Sequence, residues 1–171
     1  MRRGRLRSGL RMLLGLNMGE SRAYDAFIEK AGNLVDSKKF DDAIEHLSSA
    51  EAGWKENKRV QAYLGYAYFY TDQFRKAILC FNKVLKDVER AENIRFMRGL
   101  SFDRLDDVAS ALSDYLQVLK LNPRAKSVHR NIGLLYESMG DHEKAKFYYK
   151  KALELDEDDP GLRQQLADLD I

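Results

Sequence analysis

The chain has 171 residues, 44% of them hydrophobic and 33% charged, with two prolines and one cysteine. That is enough for one domain with a real core, and the balance excludes an intrinsically disordered chain. A lone cysteine, Cys80, excludes an intramolecular disulfide and a cysteine-based zinc site, and no run approaches the roughly 18 apolar residues of a membrane-spanning helix.

The net charge of +2 hides an asymmetry: residues 1–23 carry six arginines against the single acid Glu20, a net +5, which leaves −3 on the remainder. A slightly acidic body argues against nucleic acid as a partner, because duplex binding needs clustered cations. The basic arm, residues 1–16, sets Leu6, Leu10, Leu13 and Leu14 on one helical face beside Arg3, Arg7 and Arg11, while Gly4, Gly9 and Gly15 weaken the helix. Three readings of the arm stand open. It is an organelle transit peptide, an amphipathic segment that contacts anionic lipid or the protein's own groove, or an extension before a true start at Met12 or Met18. A secretory signal does not fit, because Met12 to Leu16 is too short an apolar core. The expected location is the cytoplasm, or an organelle matrix if the arm is a transit peptide.

From residue 24 onward the chain repeats itself. Ala31, Gly65, Gly99 and Gly133 recur every 34 residues, and so do Ala43, Ala77, Ala111 and Ala145. Large residues keep the same phase at Leu34, Tyr68, Phe102 and Tyr136, and again at Leu47, Phe81, Tyr115 and Tyr149. Four units follow, 24–57, 58–91, 92–125 and 126–159, each read as two antiparallel helices. The small residues let the paired helices approach, and the large ones fill the space around those contacts. Within the second unit, Ala62 to Tyr70 has strand-like propensity, but the repeat phase places it on a helix. Residues 160–171 read as a capping helix. Asp159 suits the N-cap and Pro160 the first helical position, and Leu162, Leu166 and Leu169 form one apolar stripe.

These landmarks resemble the tetratricopeptide repeat family. The last unit matches most fully, with Ile132-Gly133, Tyr136, Gly140-Asp141, Ala145, Tyr149 and Ala152-Leu153. The fourth position departs from the family's large apolar residue at Gln61, Arg95 and His129, and Arg98 replaces an apolar seventh position. The resemblance implies an all-α, right-handed superhelical solenoid of four hairpins plus a C-terminal capping helix. It also implies that the first helix of each hairpin lines a concave surface. Groove positions there are supplied by Ile28 and Val35 in the first unit and by Tyr63, Tyr66, Phe69 and Tyr70 in the second. Phe96, Met97 and Leu100 follow in the third, then Arg130, Asn131 and Leu134, with Glu137, in the fourth.

The expected function is therefore a protein–protein interaction module, an adaptor, assembly factor or chaperone-like protein, that binds a largely apolar peptide or helix in that groove. If a guest covers about 500 Å² of apolar area, the gross gain is on the order of 12 kcal/mol. Association costs of roughly 4–15 kcal/mol leave micromolar rather than picomolar binding. The alternatives are a self-assembling scaffold, in which the groove takes a second copy, and a peripheral membrane adaptor attached through residues 1–16. Some family members hold the acidic tails of heat-shock chaperones with a clamp of cations. Neither frame of groove positions here supplies that clamp. No phosphate loop, serine elbow or metal-ligand spacing occurs among His46, His129, His142 and Cys80. No catalysis, cofactor or metal is expected.

Overall fold

The computed structural model describes residues 18–169 apart from 87, 89 and 90. Ten helices are present among them: α1 Met18–Asp36, α2 Phe40–Ser48, α3 Ala52–Lys55, α4 Lys58–Tyr70, α5 Phe74–Leu85, α6 Glu92–Asp103, α7 Val108–Leu121, α8 Lys126–Ser138, α9 His142–Leu153 and α10 Pro160–Asp168. They pair as the hairpins α1–α2, α4–α5, α6–α7 and α8–α9, and α10 closes the end. The molecule is an all-α superhelical solenoid. The residues Ala62 to Tyr70 lie in α4, so packing overrides their strand propensity. The basic arm lies outside the described residues.

One device turns the chain inside every hairpin. Lys38, Asp72, Asp106 and Gly140 occupy the same place in successive turns, and all have φ between 57° and 75°. The amide after each donates to the carbonyl five residues back: Lys39 to Leu34, Gln73 to Tyr68, Asp107 to Phe102 and Asp141 to Tyr136, at 2.8–3.0 Å. This is the six-to-one bond of a Schellman cap, which satisfies a helix-end carbonyl and reverses the chain. The next helix then starts on a side-chain cap in two cases. Asp107 accepts from the Ser110 amide and Asp141 from the Lys144 amide, both at 3.2 Å.

The hairpins close through three glycine notches. A Cβ on Gly65, Gly99 or Gly133 would stand 2.4, 2.7 or 2.4 Å from the ring of Phe81, Tyr115 or Tyr149 respectively. Each ring thus presses close against the backbone of the facing helix and is fully buried. The core is a row of small clusters. Ile28, Ala31, Leu47 and Val60 join the first two hairpins, Ala77, Phe81 and Met97 join the next pair, and Tyr115, Val118, Val128 and Ile132 the last. Around Leu162, α10 seals the open end against Tyr149 and Ala152. Asp159 caps it by accepting from the Leu162 amide at 3.1 Å.

The polar residues at core positions find partners. Arg98 makes a two-pronged bond to Asp114 on α7, with Nε to Oδ2 at 2.8 Å and Nη2 to Oδ1 at 2.7 Å. Its Nη1 donates to Asn82 Oδ1 on α5 at 2.6 Å. Gln61 donates from Nε2 to the Lys55 carbonyl at 2.6 Å, and His129 Nε2 bonds the Pro123 carbonyl at 2.8 Å. Each reaches back to the segment before its own helix, Gln61 to the end of α3 and His129 to the turn at Pro123. In the first hairpin the second helix stops at Ser48, and the short α3 brings Trp54 against Tyr24 and Phe27 at ring separations of 5.4 and 5.3 Å.

Candidate peptide-binding groove

The first helices of successive hairpins touch each other directly, α1 with α4 and α4 with α6, while the second helices are linked chiefly through the first helix that follows. Helices that crowd on one side and splay on the other make a curved stack, with α1, α4 and α6 on the inside and α8 in the corresponding place of the fourth hairpin. The inner wall is the face of these four helices turned away from their hairpin partners.

The second unit supplies the wall's aromatic section. Tyr63 packs over the first cluster, and its phenol lies against Gly32, with the hydroxyl 3.1 Å from where a Cβ would sit. Tyr66 meets the buried Phe81 ring edge-on at 5.8 Å. Phe69 stands edge-on to Tyr70 at 5.3 Å, and Tyr70 stacks on Phe40 of α2 at 4.6 Å. Burial raises the Tyr66 phenol above its ordinary range, with Tyr70 adding to the shift; the hydroxyl stays neutral. A depression of about 420 Å³ opens beside Tyr66, between it and the start of α6 at Ala91 to Ile94.

The expectation that Ile28 and Met97 face the groove is corrected. Ile28 is 0% exposed and Met97 only 7%, because the first lies in the cluster with Ala31, Leu47 and Val60, against which Tyr63 packs, and Tyr66, Phe69 and Leu100 crowd the second. Neither offers side-chain surface to a guest. Val35, Tyr63, Tyr66, Phe69, Phe96, Leu100, Arg130 and Asn131 are half-buried on α1, α4, α6 and α8. Tyr70 and Leu134 stand out furthest, at 54% and 41% exposure.

Toward the fourth unit the wall turns polar. The twelfth position of the four units reads Val35, Phe69, Asp103 and Glu137, two apolar residues and then two acids. The rings buried under the glycine notches bring hydroxyls to this end. Tyr149 donates its hydroxyl to Glu137, with Arg130 nearby, and the Tyr115 hydroxyl lies near Asn131 and Asp103. Burial raises the Asp103 carboxyl above the usual carboxylate range; Arg104 opposes that shift and Asp106 reinforces it. Asp103 makes no side-chain hydrogen bond or ion pair among the described residues. The twelfth-position row was open to sequence reading at Asp103, since the same row supplies Val35, Phe69 and Glu137.

A second depression, of about 610 Å³, lies away from the wall, between α7, α9 and the turn at Pro123. Leu116, Leu119 and Tyr148 line it, and Phe147 stands at its edge, 54% exposed. Nothing in the repeat pattern singles it out. Cys80 is buried, and its thiol is pushed up to about 11, chiefly by burial. That makes it a poor nucleophile. No cluster of ligating side chains suited to a metal ion occurs among the described residues, and no helix among them is long and apolar enough to cross a membrane.

Sequence models described as tetratricopeptide repeat match residues 62–117 and 127–159. Among solved structures, a crystal structure of MamA protein superposes with a TM-score of 0.79 at 20% identity, covering 89% of this chain and 82% of that one. A structure designated MamA MSR-1 has 33% identity over 72% of this chain and 71% of its own, with a TM-score of 0.67. A tetratricopeptide repeat protein from Parabacteroides merdae ATCC 43184 gives 0.77 at 24% identity, covering 87% of this chain and 59% of that one. No curated protein matches the sequence.

Proposed function

The chain belongs to the tetratricopeptide repeat family, and from that premise we propose that it is a non-catalytic binding scaffold whose inner wall holds a largely apolar segment of another protein. The observation that carries the reading is the run Tyr63, Tyr66, Phe69 and Tyr70 along α4, continued by Phe96 and Leu100 on α6 and Leu134 on α8. Side chains this large and this partly covered are held in place by the hairpins behind them. They form a wall whose shape exists before a guest arrives, so little ordering entropy is lost on binding. Rings with two χ angles offer much contact area at low entropic cost. A segment laid across them, helical or extended, would bury the projecting rings of Tyr70 and Leu134's side chain first.

The test uses the residues that already stand in water. Tyr70→Glu combined with Leu134→Glu places two charges on the wall at little folding cost, because neither side chain contributes a fully buried surface. The double variant is expected to keep the helicity of the unaltered chain and to lose the partner captured by it. Retention of that partner by a folded double variant would refute the groove as the binding surface.

A further inference from the structure

Asp103 is placed where its own fold gives a carboxylate little support. It is the last residue of α6, where the exposed carbonyls of the helix end repel negative charge. It is half-buried, and Asp106 adds a second negative charge nearby. The cation that offsets it, Arg104, is the next residue along the chain, is exposed, and makes no ion pair with it. Neighbours one apart on a helix do not face each other. The buried Tyr115 hydroxyl lies near, on the side of Asn131, and brings no positive charge to it. On the same wall the other acid is accounted for: Glu137 accepts the Tyr149 hydroxyl, and Arg130 lies by that hydroxyl to balance it. Asp103 therefore stands as a half-buried carboxylate without an ion pair, at the repeat position that Phe69 holds in the unit before.

We propose that the groove's guest is a basic amphipathic segment, with apolar side chains on Tyr66, Phe69, Phe96 and Leu100 and one lysine or arginine set against Asp103. This rests on the reading of the inner wall as a peptide-binding surface and adds the chemistry of the peptide. The carboxylate is already stripped of part of its water, so a guest cation meets it at reduced desolvation cost, and the pairing fixes the register of the apolar contacts. An acidic segment would set its charge against Asp103 and Asp106 and be rejected. The wall also sets a spacing. Phe69 and Asp103 hold the same position on adjacent inner helices, whose axes in such packing lie roughly 8–10 Å apart. A guest crossing them would separate its apolar anchor from its cation by about three residues if extended, or by about six to seven if helical and lying across the stack.

Two fluorescein-labelled synthetic amphipathic peptides test this on the full chain. They share a leucine and phenylalanine face and differ only in carrying lysines or glutamates on the other. Fluorescence anisotropy should show the lysine peptide binding about tenfold more tightly, and Asp103→Asn should cut that preference by roughly fivefold. Glu143→Gln, an exposed acid at the start of α9, should leave it unchanged. Asp103→Asn should also raise the melting temperature rather than lower it, since it removes an unpaired carboxylate from the end of α6. A purely structural Asp103 would do the reverse. An unchanged lysine preference in Asp103→Asn, or tighter binding of the glutamate peptide, overturns the proposal and leaves the groove reading standing. If the Tyr70→Glu, Leu134→Glu variant binds both peptides as the unaltered chain does, the groove reading falls and this inference falls with it.

Discussion

Removing Asp114 would expose how much the third hairpin depends on its ion pair. The Asp114 side chain is 5% exposed and that of Arg98 is 19%. Asp114→Ala deletes both acceptors of the two-pronged bond and leaves a guanidinium with only Asn82 Oδ1 to hold it. Breaking a buried pair from one side costs about 3–5 kcal/mol, because the surviving charge is stranded. Arg98 keeps some contact with water, so the lower end applies, about 3 kcal/mol. For a chain of this length that is a fall in melting temperature of roughly 6–12 °C. Arg98→Leu should cost more, because the carboxylate it strands is the deeper of the two. Replacing both residues with leucine should return to within about 1 kcal/mol of the starting stability, since an apolar pair of similar volume needs no partner. Urea titrations followed by far-ultraviolet circular dichroism give all three values. A loss below about 1 kcal/mol for Asp114→Ala, or a double variant as weak as the two single ones added together, would refute the argument.

Two further outcomes follow from the packing. Gly133→Ala places a methyl group 2.4 Å from the Tyr149 ring, which has backbone on one side and the Ala152 and Leu162 cluster on the other; thermal melts should show a loss of roughly 1–3 kcal/mol. The Cys80 thiol, raised to about 11 from an ordinary value of 9, binds its proton more tightly in the folded chain than in the unfolded one. Its contribution to stability is thus complete below pH 9 and is lost as pH rises through about 11. At pH 8 a maleimide should label Cys80 only after denaturation, and rapid labelling of the folded chain would contradict the burial found here.

The architecture was legible because a 34-residue period leaves small residues no purpose except close approach. Gly65, Gly99 and Gly133 announce the notches, and Phe81, Tyr115 and Tyr149 announce the rings that fill them. The departures were legible only as departures. Arg98 breaks the seventh-position rule in one helix, and Asp114, on a different helix, explains it; no spacing rule joins them in sequence. Gln61 and His129 are alike in that each needs a carbonyl six residues back, whose position depends on how the chain enters the helix. Along the groove, alternation along the helix places residues on a face but does not say what lies over them. Ile28 sits in the cluster that joins α1 to the next hairpin, with Val60 in it and Tyr63 packed against it. Met97 fails for the same reason. Asp103 shows the opposite case. Its position was readable, but its lack of a partner emerges only when every neighbour is in place.

Among the described residues each hairpin packs chiefly on the one next to it, which gives the molecule the character of a linear array. Damage to an outer member, whether by mutation or proteolysis, stays near that end and strips off one segment while the rest holds. Damage in the centre separates two halves that have no other route of communication. Strain imposed by a bound guest travels the same way, as small rotations handed from one neighbour to the next, so the curvature of the whole can adjust by degrees without any single joint giving way.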